Sequence, residues 1–463
     1  MRTTSDSLAV LRTAGGILTA AAVATVLAGL GVHAQDKQDP AQPTFRAGIN
    51  TVRVDIIVTD KQGNPVTDLK LEDFEISEDN KPQKADTFRL IKIDATTQPS
   101  YTQRGIRTRE DEETAANDEN SRIFAFFLDD YHVMRESSMA MRKPVTDFIA
   151  TQLAPSDLVT VMYPLTPVDA AVITRNHDGI INTVEKFEGR KYKYDPINAV
   201  ESYVYKLTPD QIEQIRRQVT LSAIRGLCVK LGSLREGRKQ LILLSEGFNA
   251  TLPPQMRSNE PGGLVGTTGG RNPNAQNPFA GQDSVLEDRA QFTAQMDVNR
   301  EMQDVWDTCN RNNTAIYSVD PRGLAVGGFD ITANISMQTS QSYLNASIDT
   351  LRELSDNTDG RAIVNRNDLA GGMKQIVRDA SAYYLVGYNS SLSAHDGKFH
   401  EIKVKVKRPG LQVRARKGYW AYSEEDVRRA TAGPKAGPPV EITKALNSIA
   451  PMTNRRYIRT WIG

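Results

Sequence analysis

The chain has 463 residues, of which 39% are hydrophobic, enough for two or three domains with real cores. Its 57 basic and 56 acidic residues leave a formal charge of +1, which argues against nucleic acid or an anionic membrane as the main partner. Two cysteines are too few for a disulfide framework.

Residues 1–34 read as a secretory signal. Arg2 and Arg12 supply the positive region, Ile17 to Val32 is an Ala-rich apolar run, and Val32-His33-Ala34 offers small residues for cleavage. The run is short for a bilayer span, although an uncleaved anchor is the competing reading. No cysteine lies near the cleavage point, and no later stretch is apolar enough to cross a membrane. The mature chain is thus expected in a periplasm or outside the cell, with no transmembrane span. Cys228 and Cys309 fall on apolar faces of predicted helices. They are either two buried thiols or a disulfide, which an oxidising compartment permits.

A polar linker, 35–44, leads to Val52, Val54, Ile56 and Val58, whose alternation predicts a half-buried strand. Asp60 to Pro65 is a turn, and Phe74-Glu75-Ile76 and Phe88-Arg89-Leu90 continue the alternation around Glu78-Asp79-Asn80. Residues 45–95 therefore form a β-sandwich-like unit, too small to stand alone. Residues 96–120, with Glu110 to Glu113 and Asp118-Glu119, read as a solvated acidic linker.

From 121 to 380 strands and helices alternate. Ile123 to Leu128 is apolar throughout, as suits a strand buried on both faces. Met141, Val145, Phe148 and Ile149 mark a helix, with Pro144 either kinking it or opening it. Strands follow at Leu158 to Tyr163 and Ala170 to Ile173, then a helix at Asp178 to Phe187 and an irregular Tyr- and Lys-rich stretch from Gly189 to Leu207. Leu221, Ile224, Cys228 and Leu231 line a helix from Ile212 to Leu234. Strand Gln240 to Leu244 ends in Ser245-Glu246-Gly247. Residues 249–283, rich in Gly, Pro and Asn, read as a disordered insertion. A helix carrying Phe292 to Cys309, strand Ala315 to Val319, a helix with Ile348, Leu351 and Leu354, strand Ala362 to Val364 and a helix with Met373 and Ile376 complete the series. The rhythm predicts an α/β fold with a doubly wound, Rossmann-type parallel sheet. In 381–422 the period returns to two, at Tyr384, Val386, Tyr388 and Ile402, Val404, Val406. These strands are expected to complete the amino-terminal β unit. Residues 423–463 read as a flexible tail.

Asp129-Asp130-Tyr131-His132 follows the first strand of the series, at the carboxyl edge where open α/β sheets bind ligands. Two adjacent carboxylates repel unless a cation, a proton or backbone donors offset them. No His-Glu-x-x-His, Gly-x-Ser-x-Gly or Gly-Lys-Ser/Thr motif occurs in the chain. Asp129, Asp130 and Glu246 could supply oxygen ligands to Mg²⁺, whereas His132 would bias a site toward a transition metal. Otherwise the two aspartates cap the following helix or bond loop amides.

Three stretches resemble a known family. They are Val54-Asp55 through Asp60-Lys61-Gln62-Gly63-Asn64-Pro65 to Glu72-Asp73-Phe74; Gly237-Arg238-Lys239-Gln240 to Ser245-Glu246-Gly247; and Tyr383-Tyr384-Leu385-Val386-Gly387-Tyr388 with Arg416-Lys417-Gly418-Tyr419. Together they resemble the von Willebrand factor A-related family best known from acidobacteria. The resemblance implies a von Willebrand factor A-like fold with a degenerate adhesion site for Mg²⁺ or Ca²⁺. Asp129 matches the first ligand of that site, but Tyr131 and Val133 stand where serines belong. Glu246 replaces the third-loop aspartate, and Thr166 would be the second-loop ligand. Function is then expected to be binding or adhesion, with Tyr131 and His132 facing a protein ligand. The alternatives are a metal-assisted hydrolase using the same carboxylates, or a scaffold whose site is dead.

Overall fold

The computed structural model describes residues 51–93, 105–118, 121–235, 237–253, 256–257, 280–325, 327–329, 335–391, 396–421, 423–425 and 428. The signal (1–34), the linker (35–44), most of the 249–283 insertion and most of the 423–463 tail lie outside them. The described chain runs β1 (Thr51–Thr59), β2 (Phe74–Glu78), β3 (Lys81–Gln83), β4 (Ala85–Lys92), α1 (Arg109–Ala116), β5 (Ile123–Leu128), α2 (Arg135–Gln152), β6 (Leu158–Met162), α3 (His177–Val184), α4 (Ala199–Val204), α5 (Pro209–Leu234) and β7 (Lys239–Leu244). It continues with α6 (Ala280–Arg311), β8 (Thr314–Val319), α7 (Met337–Asn357), α8 (Leu369–Ser381), β9 (Ala382–Asn389), β10 (Phe399–Val406), β11 (Gln412–Ala415) and β12 (Gly418–Trp420).

Four strands, in the order β6-β5-β7-β8, form one parallel sheet. Because side chains alternate across a strand, β5 feeds two cores. Phe124, Phe126 and Leu128 pack with Met141, Val145 and Phe148 of α2 and with Met373 and Ile376 of α8. Ala125 and Phe127 pack with Leu221, Ile224 and Leu227 of α5 and with Val298 and Met302 of α6.

The remaining strands form two antiparallel four-stranded sheets, β11-β1-β9-β4 and β12-β10-β2-β3. Chain ends interleave in both: β1 lies between β11 and β9, and β2 pairs with β10. The two sheets share a core of Val54, Ile56, Phe74, Ile76, Tyr384, Val386 and Ile402. The architecture is thus mixed α/β, with one parallel and two antiparallel sheets.

Several local expectations are corrected. The acidic stretch is not solvated throughout: Thr108 caps α1, its acids crowd the first turn, and Glu112, Ala115 and Ala116 are buried. Glu112 accepts a hydrogen bond from the Ile173 amide at 2.8 Å. Ala170 to Ile173 is no strand. A 3₁₀ turn at Val168–Ala170 precedes a single antiparallel bridge, Val159 to Thr174. Ala362 to Val364 likewise contributes only a parallel bridge, Val319 to Ile363. Pro144 lies inside α2, not in its first turn. The stretch from Gly189 to Leu207 contains α4, and α6 begins at Ala280, inside the expected insertion.

Cys228 of α5 and Cys309 of α6 are joined as a disulfide, with Cα atoms 5.2 Å apart and a sequence separation of 81. At the amino ends of the parallel strands a buried ionic seam meets the β module. Arg238 pairs with Asp359, and Arg414 of β11 with Asp379 of α8. Lys239 is fully buried there and donates to the Arg235 carbonyl at 2.9 Å. Burial, reinforced by Arg235, pushes its amine down to about 7.

Two outcomes follow from these contacts. Replacing both cysteines by serine should cost about 2–4 kcal/mol, read from denaturant unfolding, because the crosslink closes a long loop. Lys239 binds its proton less tightly folded than unfolded, so its contribution makes stability rise with pH between about 7 and the ordinary lysine range. Lys239→Met should therefore stabilise the protein more near neutral pH than near pH 10, in paired unfolding curves; an equal gain at both would contradict this.

Candidate functional site

In the parallel sheet β5 is first in sequence, β6 second and β7 third, so the order reverses between β5 and β7. Ligands of open α/β sheets bind at such a reversal, outside the carboxyl ends of the strands. Asp129 and Asp130 follow β5 there, Ser245 and Glu246 follow β7, and Asp320 follows β8.

The acids are not an exposed crown. Asp129 and Glu246 are fully buried, and Tyr131 and His132 nearly so. Asp129 accepts from Ser245 Oγ at 2.7 Å, from His132 Nδ1 at 2.9 Å and from Thr220 Oγ1 at 3.4 Å. A carboxylate only accepts, so Nδ1 of His132 carries the proton. Asp130 accepts from Arg190 Nε at 2.9 Å. Burial pushes the Asp130 carboxyl up, and the Arg190 guanidinium only partly offsets it. Glu246 accepts from the Met134 amide and from Lys191 Nζ, both at 2.9 Å. Burial also pushes Glu246 up, but Lys191, Arg322 and the Met134 amide more than offset it and hold it below the usual range. Asp320 is paired with Arg322 at 2.7 Å.

Thr166 is not brought to this group. Its hydroxyl accepts from the Tyr163 amide at 3.2 Å, in the turn after β6, and it lines an apolar groove with Pro167, Ile215 and Val219. Thr220 of α5 is the threonine beside Asp129. No local signal in the sequence marks it, because its partner Asp129 lies 91 residues away.

Arg190 and Lys191 were also missed. They lie in a strap, Gly189–Tyr205, laid across the carboxyl edge. Its backbone is stitched down by Gly189 N to Ser138 Oγ at 2.9 Å, Arg190 N to the Asp130 carbonyl at 2.6 Å and Lys191 N to the Val133 carbonyl at 3.0 Å. A Cβ on Gly189 would sit 2.2 Å from the Val133 carbonyl oxygen, so only glycine allows this approach. Gly247 is needed for another reason: its φ is +81°, and a Cβ would meet the Ser347 carbonyl oxygen at 2.0 Å. Asn198 caps α4 by accepting from the Glu201 amide at 2.9 Å. Glu201 in turn takes both Arg190 terminal nitrogens, at 3.0 and 2.9 Å, and the Tyr131 hydroxyl at 2.9 Å. Arg216 of α5 fastens the strap from below. It lies over the rings of Tyr131, Tyr194 and Tyr205, at 4.9, 5.0 and 5.1 Å, and donates to the Arg190 carbonyl at 3.3 Å and the Tyr205 hydroxyl at 2.7 Å.

The residues do not fit a divalent ion. Such an ion needs oxygens at about 2.0–2.6 Å. Here the carboxylate oxygens already accept from ammonium, guanidinium, imidazole, hydroxyl and amide donors. Among the described residues no group of three or more His, Cys, Asp or Glu side chains is arranged to hold a metal. A cavity beside His132 and Lys191 measures about 20 Å³, room for roughly one water. Larger grooves, of about 540 and 440 Å³, lie along α5 and are not lined by Asp129, Asp130 or Glu246.

Neither a protein-family model nor a curated protein matches the chain. Solved structures with distant similarity include a mutant of the PilB minor pilin from Streptococcus sanguinis, at 10% identity and a TM-score of 0.29, covering 56% of this chain and 61% of that one. Another is the human COPII-coat protein Sec24c, at 8% identity and a TM-score of 0.27, covering 67% of this chain and 45% of that one. The chain thus spans less than two thirds of either, and likeness at this level carries no functional argument.

Arg216→Lys keeps the charge but loses the planar fork. It should speed hydrogen exchange at the Arg190 and Lys191 amides while costing about 1–3 kcal/mol of stability. Unchanged exchange across the strap would show that Arg216 does not hold it.

Proposed function

We propose that the chain is an exported, non-catalytic binding protein that presents the carboxyl edge of a doubly wound, von Willebrand factor A-like domain to a protein ligand. The observation that carries this is the two-sided strap. Beneath it Glu201 is 2% exposed and clamped; on its outer side Ile197, Val200 and Tyr203 are 68, 67 and 78% exposed. Apolar and aromatic side chains held out on an anchored element are what protein partners engage.

Two features support the rest of the reading. The Ser245 hydroxyl is committed to Asp129, and the cavity beside His132 is far below the several hundred Å³ of a substrate pocket, which speaks against a hydrolase. A disulfide suits an oxidising compartment outside the cytosol.

The test is retention of envelope proteins on immobilised protein, wild type against Ile197→Ser/Val200→Ser/Tyr203→Ser. These side chains are exposed, so the variant should fold, and circular dichroism checks that. Partners held by the wild type should fall at least tenfold with the variant. Equal retention would remove the strap as the binding face.

A further inference from the structure

The strap brings positive charge into the middle of the carboxylate edge. Lys191 Nζ lies 2.9 Å from Glu246 Oε2, with side chains 4% and 0% exposed. The other Glu246 oxygen is taken by the Met134 amide. One residue earlier, Arg190 bridges Asp130 and Glu201. Asp129, Asp130 and Glu246 thus face His132, Arg190 and Lys191, so an added divalent ion would crowd an ammonium already in contact with the same carboxylate. Coulomb repulsion at that range, in a buried site, is severe.

We propose that Lys191, with Arg190 beside it, is the built-in cation of this edge: a tethered ammonium takes the role that a divalent ion would have among Asp129, Asp130 and Glu246, and the folded edge is indifferent to divalent metals. The proposal rests on the geometry of the edge and not on the partner reading, so its test needs purified protein and metal salts alone.

Thermal unfolding is followed in chelator and in millimolar Mg²⁺, Ca²⁺ or Mn²⁺. The wild type and Lys191→Arg, which keeps the charge, should unfold at the same temperature in all four. Lys191→Gln leaves Glu246 without its counter-charge; it should unfold several degrees lower in chelator and recover part of the loss with a divalent ion. Adding Glu246→Gln to that variant should abolish the response. A metal-dependent shift in the wild type or in Lys191→Arg overturns the proposal, as does a Lys191→Gln protein that ignores all three ions. Should Lys191→Gln not fold, Mn²⁺ titration of the wild type by electron paramagnetic resonance decides: binding at this edge, lost in Glu246→Gln, overturns it.

Discussion

Carboxylates buried at the end of a parallel sheet must be offset, and most of the local structure here serves that need. An ionised carboxylate out of water is costly unless it is paired and hydrogen-bonded. Asp129 and Glu246 are both fully buried. Their partners come from three directions: the loop after β5 gives His132, α5 gives Thr220, and the strap gives Lys191. Removing any cation would strand a charge, so the strap is held by electrostatic need as much as by its own contacts.

The same physics recurs at the opposite edge of the sheet. There Arg238 pairs with Asp359 in the interior of the α/β region, and Arg414 of β11 in the β module pairs with the buried Asp379 of α8. Buried ion pairs of this kind contribute little net stability over apolar packing, but they punish misalignment strongly. The Arg414–Asp379 pair joins elements far apart in sequence, β11 and α8, and so ties the interleaved β strands to the α/β region.

The sequence made the mixed α/β character legible because period-two and fully apolar runs are local signals. Ile123 to Leu128 could hardly be anything but a buried strand, and its reading placed Asp129 and Asp130 at the correct edge. What failed were features decided by distant partners. Ala170 to Ile173 and Ala362 to Val364 are apolar enough for strands, yet the first yields only a bridge at the next residue, Thr174, and the second only one at Ile363. Glu112 looked solvated because nothing local shows that the Ile173 amide awaits it. Arg190 and Lys191 look like surface charges in a Tyr-rich loop; only the folded chain shows which acids they meet. Thr166 and Thr220 differ in the same way, since no spacing rule says which threonine reaches Asp129.

Anchoring from below also bears on how the edge could recognise a partner. A free loop that displays apolar side chains loses conformational entropy when it binds. Here Glu201, clamped by Arg190 and Tyr131, sits in the same short helix as Val200 and Tyr203, so the displayed side chains start from a fixed backbone. The ion pairs that neutralise the acids therefore also stiffen the surface above them. A partner meeting Ile197, Val200 and Tyr203 would find the helix already formed, and the carboxylates beneath would act on it only through the strap they hold.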